Sequence, residues 1–163
     1  MSGFIIKTAR LDLVLQQPAE ILAHLAEMSP EDRAQVSPVW LARARAAVSA
    51  DPWLHGFLII EQLTGDAVGS CGFKGPPDAE GIVELAYGVN PDRQGLGYAT
   101  ESAKALADFA FDTGIVRGVC AHTLPTGVSS QRVLTKAGFK LAGEVVDPED
   151  GLVLRWERFR TPA

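Results

Sequence analysis

The stretch from Val89 to Glu101 reads VNPDRQGLGYATE and joins an apolar strand pattern to a helical pattern. Two glycines, Gly95 and Gly97, stand in the turn, where the lack of a Cβ lets a ligand approach the backbone closely. The first N–H groups of the helix that follows have no intrahelical partner, and the helix dipole favours an anion at this end. The stretch therefore predicts a strand, a tight glycine loop and a helix that together bind a phosphate group.

Two familiar phosphate loops do not fit this stretch. A P-loop ends in Gly-Lys-Ser/Thr, which this stretch lacks. A Rossmann fingerprint needs Gly or Ala five positions after its first glycine, but Thr100 stands five positions after Gly95. That fingerprint would also follow the first strand of the fold, whereas this loop follows the fourth predicted strand. The loop is therefore expected to belong to a different class of phosphate site.

Apolar periodicity on both sides of the loop predicts a layered α/β (α+β) domain. Strands are predicted at Leu11–Leu15, Gly56–Glu61, Ala67–Phe73, Ile82–Val89, Val116–Thr123, Phe139–Val145 and Leu152–Phe159. Helices are predicted near Ile21–Met28, Val39–Val48, Tyr98–Phe111 and Ser129–Ala137. Because hairpins and helical crossovers both occur in this order, we expect a mixed sheet.

Length, charge and hydropathy limit the class of protein. The chain has 163 residues, which suits a single domain spanning residues 1–163. Its net charge of −5 argues against a protein that coats nucleic acid, although a basic pocket can exist within an acidic chain. No apolar run approaches the ~18 residues of a membrane helix, and the first residues lack a signal-peptide pattern. We therefore expect a soluble, cytoplasmic protein with no nucleic-acid or membrane partner.

The two cysteines, Cys71 and Cys120, are far apart and lie in apolar segments. Their separation is not typical of a metal site. Free cysteines are among the most frequently buried residues. We therefore expect two buried free thiols and no metal.

Three further segments carry a family pattern. The strand ELAYGVNP at 84–91 precedes the loop, the loop itself continues as GYATE at 97–101, and AHTLP at 121–125 leads to SQRVLTKAGF at 130–139. Together with the glycine loop, these segments resemble the GNAT acetyltransferases, and in particular their RimJ/RimL-like ribosomal-protein N-acetyltransferase branch. The resemblance covers about Thr8 to Arg158. It implies the GNAT fold, a mixed central sheet of about six to seven strands flanked by about four helices.

The resemblance implies acetyl-CoA as cofactor. In the family, N–H groups of this loop bind the pyrophosphate, and the pantetheine arm pairs with the preceding strand. An N–H at Gly88 or Val89 would polarise the acetyl carbonyl. One departure is Gly127, which stands where the family usually places an Asn that contacts the pantetheine. The residues that the resemblance assigns to acetyl-CoA binding are Tyr87, Gly88, Val89, Gln94, Gly95, Leu96, Gly97, Tyr98, Ala99 and Ser130.

Three residues are candidates for catalytic proton transfer. Glu84 lies among apolar strand neighbours and matches a Glu that is a candidate base, acting through water, in the similar branch; the alternative is an ion-paired structural carboxylate. His122 ends the next strand, and imidazole titrates near neutral pH, but a structural role is again the alternative. Many family members place an acidic Tyr in the last helix, where this chain has Leu134. The resemblance implies Ser130 as the acid, because its counterpart in the similar branch is assigned that role; a helix-capping role is its alternative.

The resemblance implies an N-acetyltransferase in which a primary amine attacks acetyl-CoA directly. The acceptor would be a peptide N-terminus or a small-molecule amine, bound between loops near Pro30–Trp53 and Lys74–Gly81. The alternative is a non-catalytic CoA-binding sensor, which the replacements at Gly127 and Leu134 favour. A homodimer is a further expectation from the family.

Overall fold

The computed structural model describes residues 4–39, 41–42 and 50–160, apart from the side chains of residues 20, 21 and 24. These residues contain eight strands in one sheet, in the order β1-β2-β3-β4-β5-β6-β8-β7. The strands are β1 Ile5–Lys7, β2 Leu11–Leu15, β3 Phe57–Glu61, β4 Ala67–Phe73, β5 Ile82–Val89, β6 Gly118–Thr123, β7 Lys140–Asp147 and β8 Gly151–Phe159. The helices are α1 Pro18–Glu27, α2 Pro30–Ala34, α3 Tyr98–Asp112 and α4 Val128–Lys136.

The predicted order of the seven strands and of the helices at Ile21–Met28, Tyr98–Phe111 and Ser129–Ala137 is confirmed, with one strand more than expected. The extra strand is β1, whose three residues are too few to show an alternating pattern. It forms because it pairs antiparallel with β2, with Ile5 opposite Val14. The short helix α2 was also not expected. The helix predicted at Val39–Val48 lies mostly outside the described residues.

The sheet is mixed, as expected, and its one parallel pairing among the described strands joins β5 to β6. Strands β1 to β5 form a continuous antiparallel run, and β8 lies antiparallel between β6 and β7. The parallel pairing covers three residue pairs and ends at Glu84 opposite Cys120. Both strands continue beyond this point, β5 for five more residues. A cleft therefore opens between the carboxyl ends of β5 and β6.

One face of the sheet forms the core because apolar residues alternate along the strands. Leu11 and Leu13 of β2 and Leu85 of β5 are almost fully buried on this face. Helix α3 packs here and presents small residues, Ala103 and Ala107, which allow a close approach to the sheet. The buried thiols expected at Cys71 and Cys120 are confirmed as free and buried, and burial raises the pKa of Cys71 to about 12.

A charged cluster fastens the start of α3 to the sheet. The Tyr98 hydroxyl donates a hydrogen bond to the Glu61 carboxylate at the end of β3. The Arg93 guanidinium, in the short 3₁₀ turn before the glycine loop, lies 3.3 Å from the same carboxylate and 3.1 Å from Asp66. The Arg10 guanidinium stacks 4.7 Å above the Tyr98 ring. The loop between β5 and α3 is therefore anchored on both sides.

We expect Gly69→Ala to destabilise the protein by about 2 kcal/mol, because strands β4 and β5 approach too closely there for a Cβ. A Cβ on Gly69 would lie 2.9 Å from the Cα of Val89, and still closer to the Gly88 carbonyl oxygen. Urea unfolding measures the change. Gly88→Ala is the matched control, since none of the described atoms lies within 4 Å of its Cβ position. Equal stability of the two variants would contradict the prediction.

We expect Glu61→Gln to lower stability at neutral pH but not in acid. The hydrogen bond from Tyr98, aided by Thr64 and Arg93, holds the pKa of Glu61 below its ordinary value of 4.5. When folding lowers the pKa of a carboxyl group, its charged form stabilises the folded protein at pH values above the pKa of the unfolded state. This contribution is lost as the pH falls through the pKa of the folded state. The difference in urea midpoint between wild type and variant should therefore shrink below about pH 4.5. A difference that stays constant down to pH 3 would refute this role; Glu149→Gln, in the exposed β7–β8 turn, is the control.

Candidate functional site

A cavity of about 690 Å³ lies between the carboxyl end of β5, the glycine loop, the start of α3 and one side of α4. Nine of the ten residues predicted to bind the cofactor line it. The exception is Leu96, which is 48% exposed and does not contribute to the lining. The lining residues are Tyr87, Gly88, Val89, Arg93, Gln94, Gly95, Gly97, Tyr98, Ala99, Thr100, Ser129, Ser130, Arg132, Val133 and Lys136.

The start of α3 is built to accept an anion. Gly97 is its N-cap residue with φ 85°, and no side chain among the described residues caps the helix. Gly95 also has a left-handed backbone, and the position of its missing Cβ is free of described atoms within 4 Å. The orphan N–H groups therefore face open space, which fits the pyrophosphate of a CoA molecule.

The side chains of this loop offer fewer free hydrogen-bond donors than their residue types suggest. The Gln94 amide donates a 2.9 Å hydrogen bond to the carbonyl of Val89, and Arg93 is engaged by Glu61 and Asp66. Tyr98 lines the cavity but directs its hydroxyl at Glu61. Backbone N–H groups are therefore the main free hydrogen-bond donors at this end of the cavity.

The open edge of β5 supplies further backbone groups. The Glu84 carbonyl and the Asn90 N–H bond to the β4 side of the strand. Because backbone groups alternate in direction along a strand, those of Tyr87 and Val89 point to the other side, where β6 has separated. Gly88 directs its backbone towards β4. Of the two N–H groups expected to polarise a carbonyl, that of Val89 is therefore the one that faces the cleft.

Two basic side chains of the cavity escaped the sequence-based reasoning. Arg132 and Lys136 stand four residues apart, so they lie on one face of α4. Both are exposed, and neither has a hydrogen bond or ion pair with any residue that the structure describes. Two signals in the sequence could have identified Arg132 and Lys136: their four-residue spacing, and their place in the helix predicted after the strand that ends at the cleft. They give the cavity a positive side within an acidic chain.

Ser130 contacts a tyrosine on the cavity side of the sheet. Its hydroxyl lies 2.8 Å from the Tyr87 hydroxyl, which also donates to the Ser130 carbonyl at 3.2 Å. Burial raises the pKa of Tyr87, although the hydrogen bond with Ser130 partly offsets this. The sequence pattern assigned only the Tyr87 backbone to the site. Leu134 is fully buried in the core, as expected for a position without an acidic side chain.

Gly127 is explained by the turn before α4. It is the N-cap of that helix, and its N–H bonds to the Leu124 carbonyl at 2.9 Å. A Cβ at this position would lie 3.2 Å from the same carbonyl oxygen, tighter than an ordinary contact. The turn therefore disfavours the larger residue that the family usually places here.

Glu84 and His122 form a pair on the opposite face of the sheet. The His122 Nδ1 atom lies 2.8 Å from Glu84 Oε2, and both side chains are about three-quarters buried. Glu84 and Tyr87 are an odd number of residues apart on β5, so their side chains point to opposite faces. The three catalytic candidates are therefore not one cluster, since Ser130 lies with Tyr87 on the other face.

Two further charged residues adjoin this pair. The Lys74 Nζ atom, just after β4, lies 3.0 Å from the same Glu84 oxygen. Backbone N–H groups of Asp150 and Glu149 hold the pKa of Asp147 below its usual value, and the nearby charges of Lys74 and His122 lower it further. A carboxylate, an imidazole and an amine thus meet beside the mouth of the cleft.

The described residues contain no group of three or more His, Cys, Asp or Glu residues arranged to hold a metal ion. Within the same part of the chain, no helix is long and apolar enough to cross a membrane.

Several known proteins are similar to this chain in sequence or in fold. The profile of the acetyltransferase (GNAT) domain family matches residues 10–140. The uncharacterized N-acetyltransferase YjdG of Bacillus subtilis is 31% identical over 91 residues, which cover 56% of this chain and 52% of that protein. The chain thus spans about half the length of the curated relatives it matches.

Solved structures match over almost the whole chain. RimL, a ribosomal L7/L12 α-N-protein acetyltransferase in complex with coenzyme A, superposes with a TM-score of 0.71 at 18% identity and covers 96% of this chain and 98% of its own. The aminoglycoside acetyltransferase AAC(6′)-Ib in complex with coenzyme A gives a TM-score of 0.64 at 18% identity. The match covers 92% of this chain and 95% of that protein's chain. These likenesses show a shared fold. Since the family profile also matches most of its length, the chain belongs to the GNAT acetyltransferase family.

Proposed function

We propose that this protein transfers an acetyl group from acetyl-CoA to a primary amine by direct attack. The observation that carries the proposal is the uncapped, glycine-lined start of α3, which opens into a cavity beside the unpaired edge of β5. This arrangement offers backbone donors to a pyrophosphate and an open strand to an extended chain. Two of the CoA-bound structures with the same fold are acetyltransferases, which supports the choice of cofactor.

Different backbone groups of the chain would bind different parts of acetyl-CoA. Backbone N–H groups between Gly95 and Ala99 would bind the pyrophosphate, and the backbones of Tyr87 and Val89 would pair with the pantetheine arm. Bound acetyl-CoA supplies an acetyl thioester. The Val89 N–H would hold the carbonyl oxygen of that thioester, as an oxyanion hole does.

The Glu84–His122 contact supports an acid–base pair. With Nδ1 of His122 directed at Glu84, the Nε2 atom is left to accept a proton from the acceptor amine. Glu84 would then orient and stabilise the imidazolium, and direct action of Glu84 through water is the competing assignment. On the other face, the Ser130 hydroxyl, bonded to Tyr87, is the proposed proton donor for the leaving thiolate.

The acceptor would be a peptide N-terminus or a small-molecule amine. The neighbours named above cover both classes, since one is an α-N-protein acetyltransferase and the other an aminoglycoside acetyltransferase. The charged surface around Glu84, His122 and Asp147 would receive the amine in either case. Its carboxylates favour a cationic acceptor.

Thiol release from acetyl-CoA with a panel of peptide and small-molecule amines tests the function. We expect release with at least one amine class, and a fall in kcat of about 100-fold in His122→Gln and Glu84→Gln because general-base catalysis is lost. Glu149→Gln, an exposed carboxylate in the β7–β8 turn, is the matched control. Binding of acetyl-CoA without release across every amine class would exclude the enzyme and leave the non-catalytic CoA sensor.

We expect Arg132→Gln with Lys136→Gln to weaken acetyl-CoA binding by about tenfold, because two unpaired cations would lose their contact with a cofactor phosphate. Calorimetric titration measures the affinity, and wild type should show the steeper loss of affinity with added salt. Lys140→Gln, an exposed lysine outside the cavity, is the control. Unchanged affinity in the double variant would show that these residues do not meet the cofactor.

A further inference from the structure

Two hydroxyl groups meet in the wall of the cavity, one from β5 and one from α4. The hydroxyl oxygens of Tyr87 and Ser130 lie 2.8 Å apart. Ser130 is the third residue of α4, but its hydroxyl does not cap the helix, since Gly127 is the N-cap and no described side chain bonds there. The contact with Tyr87 is therefore the one hydrogen bond that the described residues give to the Ser130 hydroxyl.

The direction of this hydrogen bond decides whether Ser130 has a proton to give. A tyrosine carries one hydroxyl proton, and Tyr87 has two acceptors within reach, the Ser130 Oγ at 2.8 Å and the Ser130 carbonyl oxygen at 3.2 Å. If Tyr87 donates to the carbonyl, the serine hydroxyl must donate to Tyr87. If Tyr87 donates to Oγ, the serine proton is free to point into the cavity.

Relative acidity favours a contribution from Tyr87. The proposed function requires Ser130 to protonate a leaving thiolate, although an alcohol is a far weaker acid than a thiol. A phenol has an ordinary pKa of about 10, which is close to the value of about 8.5 for a thiol. The described cavity lining contains no Asp, Glu or His, and the other phenol, Tyr98, directs its hydroxyl at Glu61. Tyr87 is therefore the phenol from which Ser130 can draw a proton.

The hydroxyl pair lies near the backbone group that is proposed to hold the thioester carbonyl. Tyr87 stands two residues before Val89, which is about 7 Å along β5. Both residues line the cavity together with Ser130. The hydroxyl pair and the Val89 N–H therefore face the same space.

We infer that Tyr87 is a positioning residue that acts through Ser130 and replaces the proton that Ser130 gives to the leaving thiolate. The inference rests on the proposed function and adds a relay of two hydroxyl groups to it. As the amine forms the C–N bond and the C–S bond breaks with its electron pair on sulfur, the Ser130 proton passes to sulfur and the Tyr87 proton passes to Ser130 Oγ. The phenolate that remains accepts a hydrogen bond from the re-formed serine hydroxyl. Water in the open cavity returns its proton after CoA leaves.

Kinetics of variants that lack one hydroxyl test the relay. We expect Tyr87→Phe and Ser130→Ala each to lower kcat by about 100-fold, with little change in the KM for acetyl-CoA, because assistance by a general acid is lost. The double variant should lose no more than Ser130→Ala alone, since the two hydroxyls act as one unit. Thr135→Val is the matched control, because the Thr135 hydroxyl donates to the Gln131 carbonyl of the same helix and lies outside the cavity lining. Losses that multiply in the double variant would overturn the relay.

A thiol at position 130 separates a proton relay from a packing role of Tyr87. Ser130→Cys supplies a group whose ordinary pKa of about 8.5 allows it to protonate a thiolate unaided. In that background we expect Tyr87→Phe to leave kcat almost unchanged. A loss as large as the one in the wild-type background would show that the Tyr87 hydroxyl serves packing alone.

A spectroscopic measurement needs no acetyl-CoA. The chain has two tyrosines, so ¹³C labelling of the ring carbon that carries the hydroxyl gives two NMR signals, and Tyr87→Phe assigns them. Burial raises the pKa of Tyr87, and the hydrogen bond with Ser130 lowers it. Ser130→Ala should therefore raise the pKa of Tyr87 further, while Thr135→Val should not. An equal pKa of Tyr87 in wild type and Ser130→Ala would refute the pairing of the phenolate with the serine hydroxyl.

The outcomes separate the relay from the function on which it rests. Thiol release that Tyr87→Phe leaves unchanged would refute the relay and leave the acetyltransferase standing. A loss in Tyr87→Phe without a loss in Ser130→Ala would overturn the path through Ser130. Absence of thiol release from the wild type with every amine would refute the function and the relay together.

Discussion

The parallel pairing of β5 with β6 ends after three residue pairs, and the arrangement of the site depends on that early end. Up to Glu84 the strands hold each other in register; beyond it, β5 is supported by β4 alone. The close β4–β5 contact at Gly69 keeps this half-supported strand in place. Because β5 stays paired with β4 as far as Val89, backbone groups on its other edge are available to a ligand without loss of the sheet.

Because side chains alternate along β5, different functional groups lie on the two faces of the sheet. Tyr87 turns to the face on which α3 and α4 pack, and there it meets Ser130 beside the cavity. Glu84 turns to the other face and meets His122 and Lys74. In the proposed function, the cofactor and the acceptor would therefore approach the reaction centre from opposite faces of the sheet. The charges follow the same division, since Arg132 and Lys136 line the cavity while the β7–β8 turn is acidic.

Most of the fold could be predicted from local pattern. The alternating leucines of β2, the continuous apolar run of β5 and the alanine stripe of α3 each fit one secondary structure. Five of the nine cavity residues belong to the glycine loop, which is a local motif. The other four, Tyr87, Gly88, Val89 and Ser130, were assigned from the family resemblance. Strand β1 was missed because its formation depends on pairing with Val14 and its neighbours, and no periodicity is visible in three residues.

The amino-acid sequence by itself determined the order of elements, the glycine loop at the start of α3 and the family, because these depend on residues close together in the chain. Only the tertiary structure decided which candidate side chains meet. Glu84 and His122 come together through the β5–β6 register, Ser130 is separated from them by the sheet, and Lys74 joins Glu84 through the β4–β5 register. Such contacts join residues 38 positions apart for Glu84 and His122, and 43 positions apart for Tyr87 and Ser130. They depend on strand register and facing, which no local pattern specifies.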